Sequence, residues 1–295
     1  MYLVVGANGF LGSYIIRKIL EDTKQNVTAV TRNTKGLADT GRLRWISCDI
    51  CDYQETDKLV SQMNAMGEFI NVIFLAAYHH PDQVEEHPKT AWNTNVTALS
   101  YFINTIENVR CFFYASTDSV YGNGDAACHF RESDSLNPVN RYGKQKAAAE
   151  CIVNTYGYNV VRFPFLIAPS ILPHKKHFYD QIAETVSGGR KIEMFSDSLR
   201  SSLDFGTAAG ILIQLVENYN DQMPKILNVS GDDDLSKYDI GIMIAKKLGV
   251  SEELIIPVSA EADTGIFKAK RAKSALMDNS KVKECLGLKE IRMKL

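Results

Sequence analysis

The 295-residue chain contains no apolar run approaching the roughly 20 residues that a membrane-spanning helix needs, which excludes a helical membrane protein. It also lacks an excess of either charge. Its 33 Lys and Arg stand against 35 Asp and Glu, so the electrostatic footprint of a nucleic-acid-coating protein is missing. No low-complexity tract or internal repeat interrupts it, and an ordinary apolar fraction excludes a disordered chain. Met1 leads straight into strand-like residues without a basic segment or a cleavage site, so a cytoplasmic protein is expected. Paired cysteine frameworks are lacking too. Cys48, Cys51, Cys111, Cys128, Cys151 and Cys285 are scattered, and free thiols are expected. Cys48 and Cys51 spell C-x-x-C, but no second pair follows at zinc spacing, and no metal is expected. His174 and His177 likewise have no third ligand nearby and read as surface or lid residues.

What is present is a regular alternation of strand and helix patterns. Tyr2-Leu3-Val4-Val5 is a short apolar run of the kind that forms a buried parallel strand. Gly6-Ala7-Asn8-Gly9-Phe10-Leu11-Gly12 follows, then a helical pattern through Ile15, Ile16, Ile19 and Leu20. Glycines between strand and helix let the backbone turn sharply and approach a pyrophosphate, whose charge faces the helix N-terminus. Val27–Thr31 reads as the second strand. At its end stand Arg32 and Asn33 where an acidic residue would bind a ribose 2′-hydroxyl. A guanidinium suits a 2′-phosphate, so NADP is favoured over NAD.

Further strands read at 44–48, with Asp49 and Ile50 at the tip facing the adenine, and at 71–75, followed by the small Ala76 and Ala77 that leave room for a cofactor. A helix reads at 53–63 and a long helical pattern at 88–107, carrying Asn95. Strands at 111–116, 159–163 and 226–229 complete a βαβ series at parallel-sheet spacing. The expected class is α/β, a Rossmann doubly wound parallel sheet with a smaller C-terminal substrate-binding lobe. Residues 1–166 and 205–230 are assigned to the sheet unit. Regular alternation is lost at 164–203, and residues 167–204 and 231–295, the latter with a helix at 236–248 and a strand at 254–258, are assigned to the lobe.

The chemistry is concentrated between Ser116 and Lys146. Tyr142 and Lys146 lie four apart on a helix-like run, 141–156, and so share one face. An ammonium beside a phenol favours the phenolate, and the expectation is a Tyr142 pKa drawn down toward working pH. Thr117, ending the strand before it, is placed to bond the same substrate oxygen. Alone, Tyr-x-x-x-Lys is a weak signal; its weight comes from the glycine-rich turn upstream.

With these motifs together the chain resembles the extended short-chain dehydrogenase/reductase family over essentially its whole length. The residues that carry the resemblance are the glycine triplet, Asp49-Ile50, Leu75-Ala76-Ala77, Asn95, Thr117 with Val120-Tyr121-Gly122, and Tyr142 with Lys146. The family implies Tyr142 as acid/base, Lys146 holding the nicotinamide ribose and tuning the tyrosine, and Thr117 orienting the reacting oxygen. It implies cofactor contacts from Gly6, Asn8, Gly9, Phe10, Leu11, Gly12, Arg32, Asp49, Ile50, Ala76, Ala77, Asn95 and Lys146. Three segments are similar to the dTDP-4-dehydrorhamnose reductase branch: Ala76-Ala77-Tyr78 through Asp82, Glu85, Pro88, Ala91-Trp92-Asn93 and Asn95; Ser116-Thr117-Asp118 to Val120; and Arg271, Ser274 and Leu276. The implied reaction is hydride transfer from NADPH to the 4-keto carbon of a nucleotide-linked sugar.

Sugar-nucleotide 4,6-dehydratases are similar here too, but place a glutamate two residues after the threonine. This chain has Ser119, which is no base near neutral pH, and dehydration is disfavoured. Leu199–Asp204 is similar to the segment with which epimerases grip a nucleotide diphosphate, which makes Arg200 a candidate phosphate contact beside Tyr78 and His80 for the substrate. Asp118 either enters the pocket or caps a turn, and His79-His80 either contacts substrate or packs in a loop. An epimerase and a non-catalytic NADP-binding regulatory subunit stay open as alternatives, as does a homodimer.

Overall fold

The computed structural model describes residues 1–172, 174–260 and 267–295. Residues 173 and 261–266 of the expected lobe lie outside the described residues. Strands β1 (Tyr2–Val5), β2 (Val27–Thr31), β3 (Leu43–Ser47), β4 (Ile70–Phe74), β5 (Val109–Thr117) and β6 (Asn159–Phe163) alternate with helices. The helices are α1 (Phe10–Asp22), α2 (Tyr53–Asn64), α3 (Pro81–Glu86), α4 (Pro88–Trp92), α5 (Ala98–Thr105) and α6 (Arg141–Thr155). The chain continues through α7 (Phe178–Ser187), β7 (Ile192–Phe195), β8 (Leu199–Arg200), α8 (Phe205–Glu217) and β9 (Ile226–Asn228). It ends with α9 (Lys237–Leu248), β10 (Ile255–Val258), β11 (Ser274–Ala275) and α10 (Ser280–Leu286).

Seven strands form one parallel sheet in the order β3-β2-β1-β4-β5-β6-β9. The expected doubly wound α/β sheet is what the chain forms. Its central strands are buried on both faces, and β1 is apolar without interruption. In β1, Tyr2 and Val4 enter a cluster with Ile15 and Ile19 of α1 and Leu212 of α8, while Leu3 and Val5 enter another with α2 and α5. The strand order reverses between β1 and β4, the kind of position at which open α/β sheets take ligands beyond the carboxyl ends of their strands. No helix among the described residues is long and apolar enough to cross a membrane.

The stretch 164–203, expected to be irregular, contains α7, β7 and β8. α7 buries Tyr179, Ile182 and Val186, an i, i+3, i+7 stripe that was a usable helical signal, whereas β8 is two residues long and sets up no period. β7 pairs with β10 and β8 with β11, both in parallel. A separate core of Ile167, Ile182, Met194, Ile240, Ile244 and Ile255 holds this region together. The long helical pattern at 88–107 is also subdivided. α4 and α5 are joined by one π-helical turn, Asn93–Thr97, which carries the buried Asn95.

Candidate active site

The site begins where β1 gives way to α1. Gly6 has φ of +86°, and a Cβ there would lie 2.7 Å from the backbone nitrogen of Ala76, just beyond β4. A Cβ on Gly12 would lie 2.6 Å from the carbonyl oxygen of Ala7. The two strand ends and the first helical turn are thus pressed together in a way only glycine permits. The N-cap of α1 is Gly9, which offers no side-chain cap, and the first turn carries no acidic residue. Its backbone N–H groups therefore have no side-chain acceptor of their own, an arrangement that suits an anionic group such as a dinucleotide pyrophosphate. Arg32 is exposed beyond β2. Lys175, which the sequence did not single out, extends its ammonium to the Asn8 carbonyl oxygen at 2.5 Å. Burial and then the nearby Arg32 charge lower the Lys175 pKa, so two cations approach each other beside the glycine turn. Ile50 is buried in the core under β2 and β3, while Asp49 accepts a hydrogen bond from the Cys51 N–H at 2.9 Å.

The three residues expected to carry the chemistry, Thr117, Tyr142 and Lys146, stand at the end of β5. Thr117 accepts a hydrogen bond from the Ser119 N–H at 3.2 Å and donates its own hydroxyl to Asp118 Oδ1 at 3.1 Å. Asn140 caps α6 by accepting from the Gly143 N–H at 2.9 Å. The first turn of α6 rests on the turn after Thr117 so closely that a Cβ on Gly143 would lie 2.3 Å from the Ser119 carbonyl oxygen. This contact sets Tyr142, which is partly exposed, beside Thr117.

The acidity of Tyr142 differs from the sequence expectation. Burial, and then the Asp118 carboxylate, raise its pKa above the ordinary phenol value, and hydrogen bonding with Thr117 offsets only part of this. Spacing correctly indicates a shared helix face but says nothing of solvent, and enclosure penalises the charged form of both partners. Lys146 is 2% exposed, and burial pushes its amine down to about 7 against the opposing pull of Glu150. Its Nζ donates to the Ala115 carbonyl oxygen at 2.5 Å and sits 4.0 Å from the centre of the Tyr114 ring.

Glu150, one turn beyond Lys146, also went unread in the sequence, although its i+4 spacing was a usable signal. It is bonded to the Ser116 hydroxyl and pairs with Arg162 of β6, whose Nη2 lies 2.6 Å from Oε2 and whose Nε lies 3.1 Å from Oε1. Arg162 Nη1 donates to the Tyr121 hydroxyl at 2.7 Å, which donates to Asn228 Oδ1 at 2.8 Å. Adjacent residues of β5, Ala115 and Ser116, therefore engage helix residues one turn apart.

Asn95 uses its whole amide on protein. Its Oδ1 accepts from the Tyr78 N–H at 2.7 Å, and its Nδ2 donates to the Tyr78 carbonyl oxygen at 3.2 Å and to Gln145 Oε1 at 2.8 Å. It thereby fixes the segment after Ala76 and Ala77 against α6. His79 and His80 are both exposed on that segment.

Asp118 enters the site rather than only capping a turn. It is buried, and its Oδ2 lies 3.2 Å from Arg200 Nε without hydrogen-bond geometry, so this contact is electrostatic. Arg200 also donates to the carbonyl oxygens of Leu199 and Ala272, both at 2.6 Å. Asp82 pairs with Arg271 at 2.7 Å, and Glu85 with Arg141 at 2.8 Å. Lys237, from α9, was not singled out in the sequence either. Its ammonium lies among the rings of Phe165, Phe178, Phe195 and Phe267.

The family profile described as the RmlD substrate binding domain matches residues 1–294. The chain belongs to this family. Among curated proteins, it is 30% identical over 190 residues to the dTDP-D-glucose 4,6-dehydratase of Mus musculus, covering 61% of this chain and 52% of that one. The chain thus spans about half the length of that dehydratase. It is 23% identical over 291 residues to methionine adenosyltransferase 2 subunit beta of Bos taurus, covering 97% of this chain and 82% of that protein. Among solved structures it is similar to a dTDP-4-dehydrorhamnose reductase from Bacillus anthracis str. Ames in complex with NADP, with a TM-score of 0.78. The identity there is 18%, and the match covers 99% and 94% of the two chains. The fold described above is shared with that structure.

Proposed function

We propose that this chain is an NADPH-dependent reductase of a nucleotide-linked 4-ketosugar, similar to dTDP-4-dehydrorhamnose reductase. NADP suits the glycine turn, with the backbone of Gly6 through Gly12 against the pyrophosphate and Arg32 beside the 2′-phosphate. The bound cofactor supplies a hydride for the C4 carbon. Thr117 and Tyr142 hold the C4 oxygen, and Tyr142 gives that oxygen its proton as the carbonyl becomes an alcohol. Lys146 lies beneath and positions the nicotinamide ribose.

The observation that carries this reading is the partly exposed Tyr142 phenol beside Thr117, with its pKa raised. A phenol that stays protonated is a donor, which suits reduction. Ser119, whose carbonyl contacts α6, stands where a dehydratase needs a base, and this weighs against dehydration despite the likeness to the murine dehydratase. The test is NADPH oxidation by the purified protein with a panel of nucleotide-linked 4-ketosugars. Turnover with at least one supports the reading, and tightly bound NAD with no oxidation of NADPH contradicts it.

A second reading, a cofactor-binding regulatory subunit, is favoured by the match to methionine adenosyltransferase 2 subunit beta along 97% of the chain. It predicts NADPH binding without turnover on any ketosugar.

A further inference from the structure

Lys175 belongs to the segment between β6 and α7, and that segment is docked on the start of α1. The Tyr14 hydroxyl of α1 donates to the Pro169 carbonyl oxygen at 2.7 Å, and the His177 ring packs edge-on against Phe10 with 4.7 Å between centres. Asp180, in the first turn of α7, accepts from the N–H groups of Ser170 at 3.2 Å and His177 at 2.7 Å. The segment is therefore pinned on either side of Lys175, which delivers its Nζ to within 2.5 Å of the Asn8 carbonyl oxygen in the glycine turn. The same turn is stitched to β2, because the N–H groups of Gly6 and Ala7 both donate to the Val30 carbonyl oxygen at 3.0 Å. Arg32 follows two residues later, and its own carbonyl oxygen accepts from the Ser47 hydroxyl at 3.1 Å.

Two cations from distant parts of the chain thus meet at one turn, close enough for the Arg32 charge to act on the Lys175 ammonium. Among the described residues no carboxylate acts on that ammonium, and its hydrogen-bond partner is a carbonyl oxygen, which neutralises nothing. Both side chains are exposed, so an anion can reach them. The end of β2 is where a dinucleotide-binding sheet places the adenosine ribose. A ribose 2′-hydroxyl there would leave both cations unanswered. A 2′-phosphate is a monoester with a charge of about −1.5 to −2 near pH 7, which two cations match. The pyrophosphate is the weaker candidate for Lys175, because each of its phosphates carries a single charge and the first turn of α1 already offers it N–H groups.

We propose that Lys175 is a second determinant of cofactor choice, which joins Arg32 on the 2′-phosphate and so selects NADP over NAD. An ammonium has three donors, so Lys175 can keep the Asn8 carbonyl oxygen and still donate to a phosphate oxygen. The inference rests on the reading of NADP as the cofactor, but its test does not need turnover. Dissociation constants of NADPH and NADH are measured by nicotinamide fluorescence titration of the whole chain, for the native protein, Lys175→Met and Lys175→Arg.

The native protein should bind NADPH more tightly than NADH. Lys175→Met should weaken NADPH binding by about tenfold, which corresponds to about 1.4 kcal/mol, and leave NADH binding within about twofold, which also shows that the variant is folded. Lys175→Arg, which keeps the charge, should retain most of the preference. Equal NADPH affinity in the native protein and Lys175→Met overturns the proposal, and if both still prefer NADPH the cofactor reading survives it. Parallel losses of NADPH and NADH affinity also overturn it, because they place Lys175 on the pyrophosphate that both cofactors carry. A native protein that binds NADH as tightly as NADPH contradicts the cofactor reading and this inference together.

Discussion

Gly143 and Ser119 are in such close contact that a Cβ on the glycine would lie 2.3 Å from the serine carbonyl oxygen. Through this contact the first turn of α6 is seated on the end of β5, and Tyr142 is held beside Thr117. Gly143→Ala should therefore displace the helix start by a few tenths of an ångström or more. Alanine is the better helix former by about 1 kcal/mol, so helix propensity alone predicts no harm. The expected outcome is a fall in kcat/KM of about 100-fold from misplacement, with NADPH affinity nearly unchanged. Native kinetics in this variant would show that the contact does not position the phenol.

The Glu150–Arg162 pair is 2% exposed on each side. Removing one partner strands the other charge away from water, so Glu150→Gln should cost about 3 kcal/mol in urea unfolding. Glu150→Gln combined with Arg162→Met should recover part of this loss. A double variant no more stable than the single one would mean that the guanidinium is not the stranded group.

His177 caps α7 and stacks edge-on at 4.7 Å from Phe10 and 4.9 Å from Phe205. Burial pushes its pKa from 6.5 down to about 4, partly opposed by Asp180 and reinforced by His79. Between those values the unfolded chain binds a proton that the folded chain refuses, so stability falls as pH drops from 6.5 to about 4. Asparagine also caps helices but does not titrate. His177→Asn should flatten the urea midpoint across this window, and an unaltered slope would place the acid sensitivity elsewhere.

The sheet was legible because its central strands are short and buried on both faces, as the apolar run Tyr2–Val5 illustrates. The placement of Tyr142 and Lys146 on one helix that follows the strand ending at Thr117 was legible because i+4 spacing and a preceding strand end are sequence-local. What spacing cannot convey is enclosure, and so the direction of the Tyr142 shift was misread. Lys237 was illegible for a different reason. Its four rings come from positions 165, 178, 195 and 267, brought together only by the packing of α7, α9, β7 and the segment after β6. Lys175 at the Asn8 carbonyl depends on a similar long-range approach that no local pattern announces.

The central claim is that the Tyr142 phenol delivers the proton that completes carbonyl reduction. Its most direct test is Tyr142→Phe, with NADPH binding followed by nicotinamide fluorescence and turnover by NADPH oxidation on a ketosugar that the native protein reduces. The account predicts unchanged NADPH affinity and a turnover lowered by about 100-fold or more, the range expected for loss of a general acid. Turnover at the native rate in that variant would contradict it.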